Sequence, residues 1–108
     1  MERVNFSVKQ NEDLALAFNN LDQTTGQPVY VGGWSGTWTI RSFAGSVLAT
    51  VTAVVDNPDS GVISYPLTTA QTAALPLGAC SYDVEVTRDD GSRDFLQTGL
   101  LFVEFGSP

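Results

Sequence analysis

Alternation of apolar and polar residues with a period of two constrains this chain most, and it recurs along almost its whole length. In "DLALAFN", Leu14, Leu16 and Phe18 fall on one side of an extended chain and Asp13, Ala15, Ala17 and Asn19 on the other. "VNFSV" alternates likewise through Val4, Phe6 and Val8, with "KQNED" as a polar turn between the two segments. "TWTIRSF" puts Trp38 and Ile40 on one face and Thr37, Thr39 and Arg41 on the other. "ACSYDVEVTR" sets Cys80, Tyr82, Val84 and Val86 against Ser81, Asp83, Glu85 and Thr87. A helix repeats every 3.6 residues, so these segments predict half-buried strands.

The remaining segments fit the same plan. "SVLATVTAVV" reads as one long strand with Val47, Ala49, Val51, Ala53 and Val55 inward, its small alanines allowing a facing sheet to come close. "VISYPL" is a short strand whose Pro66 cannot donate to a ladder, which places it at an edge or a strand end. "LTTAQTAALPLG" is the only helical candidate: Thr68 and Gln71 have capping-box spacing, and Pro76 and Gly78 stop the helix after one or two turns. "LDQTTGQPV", "DNPDSG" and "DDGS" are turns, with Gly91 free to take the positive φ of a tight hairpin. The last segment, "DFLQTGLLFVEF", is apolar on both faces: Phe95, Gly99, Leu101, Val103 and Phe105 alternate with Leu96, Thr98, Leu100 and Phe102. Such a strand is covered on both sides, by the fold or by a partner, or else Gly99 carries a bulge that switches the faces. About seven short strands and one small helix in 108 residues predict a single all-β domain over residues 1–108, an antiparallel β-sandwich of immunoglobulin-like type.

Composition narrows the functions open to such a domain. Net charge is −7, and the five basic residues Arg3, Lys9, Arg41, Arg88 and Arg93 are scattered, which argues against nucleic-acid binding. Cys80 is the single cysteine and histidine is absent, so no internal disulfide can form and a structural zinc site lacks ligands. No cofactor or metal is expected. No run reaches the roughly 18 apolar residues of a membrane helix, and "MERVNFSVKQ" lacks the apolar core of a signal peptide; synthesis in a cytoplasm, without a membrane partner, is the expectation. Only 16% of residues are charged against 43% hydrophobic, a balance that suits a surface meeting other proteins.

Two places could carry chemistry or binding. "SYDVEVTRDDGSRDFLQTG" holds five carboxylates, Asp83, Glu85, Asp89, Asp90 and Asp94, within nineteen positions. Asp83 and Glu85, two apart on a strand, share a face at about 7 Å, which permits paired acid and base work; Asp89, Asp90 and Asp94 surround the turn, which permits a calcium-like oxygen site. Asp83 and Glu85, however, alternate with the buried row and belong to the wet face, and Arg88 and Arg93 are placed to neutralise the cluster; the expectation is a solvated hairpin without catalysis. Cys80 falls in the buried row with no base nearby, as a small core residue. "GGWSG" lacks the order of a nucleophile elbow. Trp34, in that Gly-rich loop beside Tyr30, packs in the loop, anchors a protein contact, or stacks on a sugar ring. Tyr30, Trp34, Leu100 and Phe102 are the candidate interface residues.

The order of features resembles a family of small immunoglobulin-like structural proteins of tailed bacteriophages, related to the N-terminal domain of baseplate upper proteins. The residues that carry the resemblance are Asp13 and Leu14; Gly26 and Pro28; Leu67, Thr68, Thr72, Ala73, Ala74, Leu75, Pro76 and Gly78; Tyr82, Asp83, Glu85 and Thr87; and Asp90, Gly91 and Gly99. They span about four-fifths of the chain. Where the family often has an aromatic residue two before the Tyr-Asp pair, this chain has Cys80, so Tyr82 or packing must close that corner. The resemblance implies a non-enzymatic virion protein, made in the host and carried in the particle, in several copies or as a homo-oligomer bound to capsid, neck or tail proteins. Capsid decoration and a neck or baseplate module are both compatible with it. A carbohydrate- or host-surface-binding module using Tyr30 and Trp34 is the competing expectation.

Overall fold

A computed structural model of the chain describes residues 2–106. The strands are β1 (Glu2–Arg3), β2 (Phe6–Lys9), β3 (Leu14–Asn19), β4 (Ser35–Arg41), β5 (Val47–Thr52), β6 (Val62–Leu67), β7 (Gly78–Thr87) and β8 (Arg93–Glu104), with a 3-10 turn (Pro58–Ser60) before β6 and an α-helix, α1 (Thr69–Ala74), between β6 and β7. They form an all-β sandwich of unequal layers. In the six-stranded sheet β8, β7, β4 and β5 are neighbours in that order, and β1 and β2 share the other edge of β8. The second layer is the antiparallel pair β3 and β6. The ladder is not wholly antiparallel as expected, because β1 and β2 both run parallel to β8.

The alternating rows meet between the layers. Trp38 and Ile40 of β4, Cys80, Tyr82, Val84 and Val86 of β7 and Leu101 of β8 are buried against Ile63, Tyr65 and Leu67 of β6. Each large apolar side chain so enclosed contributes roughly 1.5–3 kcal/mol. Phe6, Trp38 and Tyr82 pack as tilted or edge-on pairs with centroids 5.0–6.2 Å apart. The Tyr65 hydroxyl crosses between the layers and donates to the Glu85 carbonyl at 2.8 Å. Tyr82 closes its corner: its hydroxyl donates to the Val4 carbonyl at 2.6 Å and accepts from Gln97 Nε2 at 2.7 Å.

The helix is capped as the sequence predicts, with Thr68 accepting from the Gln71 N–H while the Gln71 side chain accepts from the Thr68 N–H. Pro66 lies beyond the isolated bridge between Val54 and Ser64, where β6 has β3 as its partner. Two expectations about faces change, both through bulges. Ile40 pairs with Ala49 but Arg41 with Val47, so Leu48 is an extra residue and Val47 turns outward, 58% exposed. The chain then leaves the large sheet after Thr52 and bridges β6 at Val54, so the long strand is shorter than its pattern implies. On β8 the register breaks between Val84 and Glu85, opposite Leu96, and not at Gly99. Phe95 therefore lies on the outer row with Glu85, while Gly99 stays in register opposite Tyr82. Glycine is needed there because a Cβ would run into the Val4 carbonyl of the parallel N-terminal segment.

Candidate functional site

Strand register defines two ends of the sandwich. β7 begins at Gly78 opposite Val103 and finishes at Thr87 opposite Arg93, while β4 runs the other way, from Ser35 opposite Thr87 to Arg41 opposite Ser81. One end therefore gathers the 88–92 turn and the loop that leads through Trp34 into β4. The other gathers the 42–46 turn, the 75–77 segment and the chain after β8.

The first end holds the acidic hairpin. The Arg88 N–H bonds the Ser92 carbonyl at 2.8 Å, and Gly91 turns the chain at φ 87°. The Asp90 carboxylate accepts from the Ser92 N–H at 2.8 Å, and its bonds from Ser92 hold the carboxyl below the usual range. Along the strands Arg41 pairs with Asp83, Arg88 reaches Asp94 at 3.4 Å, and the Arg93 Nε donates to Glu85 at 2.6 Å. Asp83 and Glu85 lie on the outer face as expected, though their side chains are only 27% and 20% exposed because arginine stems lean over them. A general acid or base needs a carboxyl pushed towards neutrality, and Asp90 is moved the other way. Among the described residues no three acid or cysteine side chains gather as metal ligands. Cys80 is buried and its thiol donates to the Leu101 carbonyl at 3.4 Å; burial pushes the thiol up, away from the reactive thiolate.

The four candidate interface residues do not form one patch. Tyr30 is 62% exposed. Trp34 is half-buried against the core, and the Arg88 guanidinium carbon stands 5.4 Å from its ring centroid, so that ring face is taken. Leu100 and Phe102 lie on the outer face of β8, opposite Ser81 and Ala79, with Leu100 half-buried and Phe102 exposed. The loop pair and the strand pair are thus separate surfaces.

The other end carries what sequence reasoning missed. Phe43 in the 42–46 turn, Val47 at the start of β5, Leu77 before β7 and Phe105 after β8 are all large, apolar and more than half exposed. Their signal was present but easy to pass over, since Phe43 and Leu77 are apolar residues inside turn sequences, "SFAGS" and "LPLG". Four of them at one end of a small domain make that end a candidate contact surface.

No family model matches the chain, and no curated protein matches it. Among solved structures, the N-terminal domain of phage TP901-1 ORF48 is similar at 15% identity and a TM-score of 0.49, the alignment covering 95% of this chain and 97% of that one.

Proposed function

We propose that the chain is a non-enzymatic structural protein of a bacteriophage particle, an immunoglobulin-like sandwich that attaches to other virion proteins. The observation that carries this reading is the surface: Phe43, Val47, Leu77 and Phe105 are left in water at one end, Leu21 and Tyr30 are exposed elsewhere, and of the hairpin acids Asp83, Glu85 and Asp94 are tied to arginines and Asp90 to backbone. Apolar side chains without a covering layer suit assembly, and self-neutralised carboxylates do not suit catalysis. The order of turn, cap and strand motifs in the sequence supports the phage assignment, and β1 and β2 pairing with the last strand while β3 pairs with β6 is compatible with an immunoglobulin-like order. Tyr30, Trp34, Leu100 and Phe102 remain proposed contact residues, with exposed Phe102 and Tyr30 the stronger members. Stacking on a sugar is less well served, because Arg88 occupies a face of Trp34.

Cryo-electron microscopy of the source particle, with this chain quantified by mass spectrometry, tests the proposal. Hundreds of copies on the shell assign it to capsid decoration, and multiples of three or six up to a few dozen assign it to neck or baseplate. Absence from purified particles overturns the reading.

A further inference from the structure

The N-terminal arm, Glu2–Lys9, is held by parallel pairing, whereas the other ladders among the described residues are antiparallel. Its ladder partner is β8 alone, in parallel register from Glu2 opposite Gln97 to Lys9 opposite Glu104. The slot that receives it belongs to the rest of the chain. Tyr82 offers its hydroxyl to the Val4 carbonyl, the Thr98 carbonyl accepts the Val4 N–H at 2.8 Å, and the Leu100 N–H donates to the Asn5 side chain at 2.9 Å. Gly99 keeps room for the arm backbone, Val8 is 6% exposed, and Phe6 packs on Trp38 and Tyr82. An emptied slot would expose those aromatic faces to water and leave the Tyr82 hydroxyl without its acceptor, so a vacated slot favours another arm of the same sequence.

The connection to the rest of the chain is short and constrained. Residues 10–13 carry the chain from the large sheet to the small one, with Asn11 left-handed at φ 67°. Glu12, Asp13 and Glu104 line one recess of about 240 Å³ with the single ammonium of Lys9. Extending this hinge would release Asn11 from its conformation and move Glu12 and Asp13 away from Glu104, at the loss of the turn bond from the Glu12 N–H to the Lys9 carbonyl at 3.3 Å, while the ladder and core contacts of the arm are remade on the other copy. Exchange of a terminal element through a short, constrained hinge is a low-cost route to dimers. Because β2 ends at Lys9 opposite Glu104, the hinge sits at the apolar end, next to Phe105 and to the 75–77 segment, where Gln10 Nε2 donates to the Leu75 carbonyl at 2.8 Å. A copy joined through this hinge would be tethered at the end that carries Leu77 and Phe105.

We infer that Glu2–Lys9 is an exchangeable strand, that a second copy of this chain supplies it, and that the exposed apolar end is packed between the two copies. The inference is independent of the virion reading: a chain that stays monomeric sinks it and leaves attachment to a particle open.

The test uses the Ser7 and Phe102 positions, which are ladder partners on the outer face. In a Cys80→Ala background, one protein carries Ser7→Cys and a second carries Phe102→Cys; they are mixed, warmed towards the onset of unfolding, cooled and oxidised. The expected result is a disulfide-linked species of twice the monomer mass containing one of each. A mixture of Ser7→Cys with Thr50→Cys should not link, because Thr50 lies on β5 at the far side of the sheet. Equal linking in both mixtures, or a monomer mass in analytical ultracentrifugation of the unmodified chain at high concentration, overturns the inference. Leu77→Ser with Phe105→Ser should weaken dimerisation by roughly tenfold or more, about the loss of one buried anchor. An unchanged dimer constant removes the apolar end from the interface.

Discussion

The two ends of the sandwich invert what their sequences advertise. The acidic end is conspicuous in the chain, five carboxylates in a single hairpin, yet in three dimensions its charges are largely spent on one another: Asp83, Glu85 and Asp94 each meet an arginine, and Asp90 binds the turn backbone. The apolar end is inconspicuous in the chain, because Leu77 and Phe105 are dozens of residues from each other and from the turn that carries Phe43 and Val47, yet the fold brings them to one end and leaves them in water. Clustering along a sequence measures how easily charges can neutralise each other locally. Clustering across a fold measures what the domain has left to offer a partner.

Both ends are surfaces of one core whose buried residues run through β4, β6, β7 and β8. Trp38→Ala empties a fully buried site between the layers and should cost about 3–5 kcal/mol, read by denaturant unfolding. Separate transitions for tryptophan fluorescence and far-ultraviolet circular dichroism would show the ends to be separate units. Tyr82→Phe comes next. It strips the Val4 carbonyl and the buried Gln97 amide of a shared partner, for about 1–3 kcal/mol, and should raise hydrogen exchange in the arm near the apolar end's hinge before the acidic hairpin.

Tyr65→Phe isolates the tie between the layers. Burial, reinforced by the Glu85 charge, pushes the Tyr65 hydroxyl up to about 12 from 10.0. A raised pKa means the folded state holds the proton more tightly than the unfolded one, so this stabilisation is complete below about pH 10 and is lost as pH rises towards 12. At neutral pH the variant should lose about 1 kcal/mol with its hydrogen bond to the Glu85 carbonyl, and between pH 10 and 12 its melting temperature should fall less steeply than that of the parent. The smallest effect belongs to the acidic end. Arg93→Ala should cost under about 1 kcal/mol, as exposed ion pairs do, and the difference should shrink in 1 M salt. A loss comparable to that of Tyr82→Phe would mean the hairpin charges hold the fold after all.

Much of this was legible one strand at a time. Alternation placed Trp38, Ile40, Tyr82, Val84 and Val86 inside, and the spacing of Thr68 and Gln71 marked the helix start, because side-chain direction along a strand and capping at a helix terminus are local properties. The errors have local causes of another kind. A bulge at Leu48 or Leu96 adds one residue to one strand and reverses every face beyond it, and nothing in "SVLATV" or "DFLQT" says which residue the partner strand will skip. Gly99 does not carry the face-switching bulge its place in the strand suggests, since the carbonyl that requires its missing side chain comes from Val4, ninety-five positions earlier.

By itself, then, the sequence determined which segments are strands, where they turn, which row faces inward wherever no bulge intervenes and that the acids had arginines within reach, all of which depend on neighbours a few residues away. Tertiary structure alone decided that the first strand runs parallel to the last, that Arg88 covers Trp34, and that four distant apolar residues share one end. Those are facts of register and strand order, set by which ladders and which packed layers have the lowest free energy together, and no short window of sequence contains them.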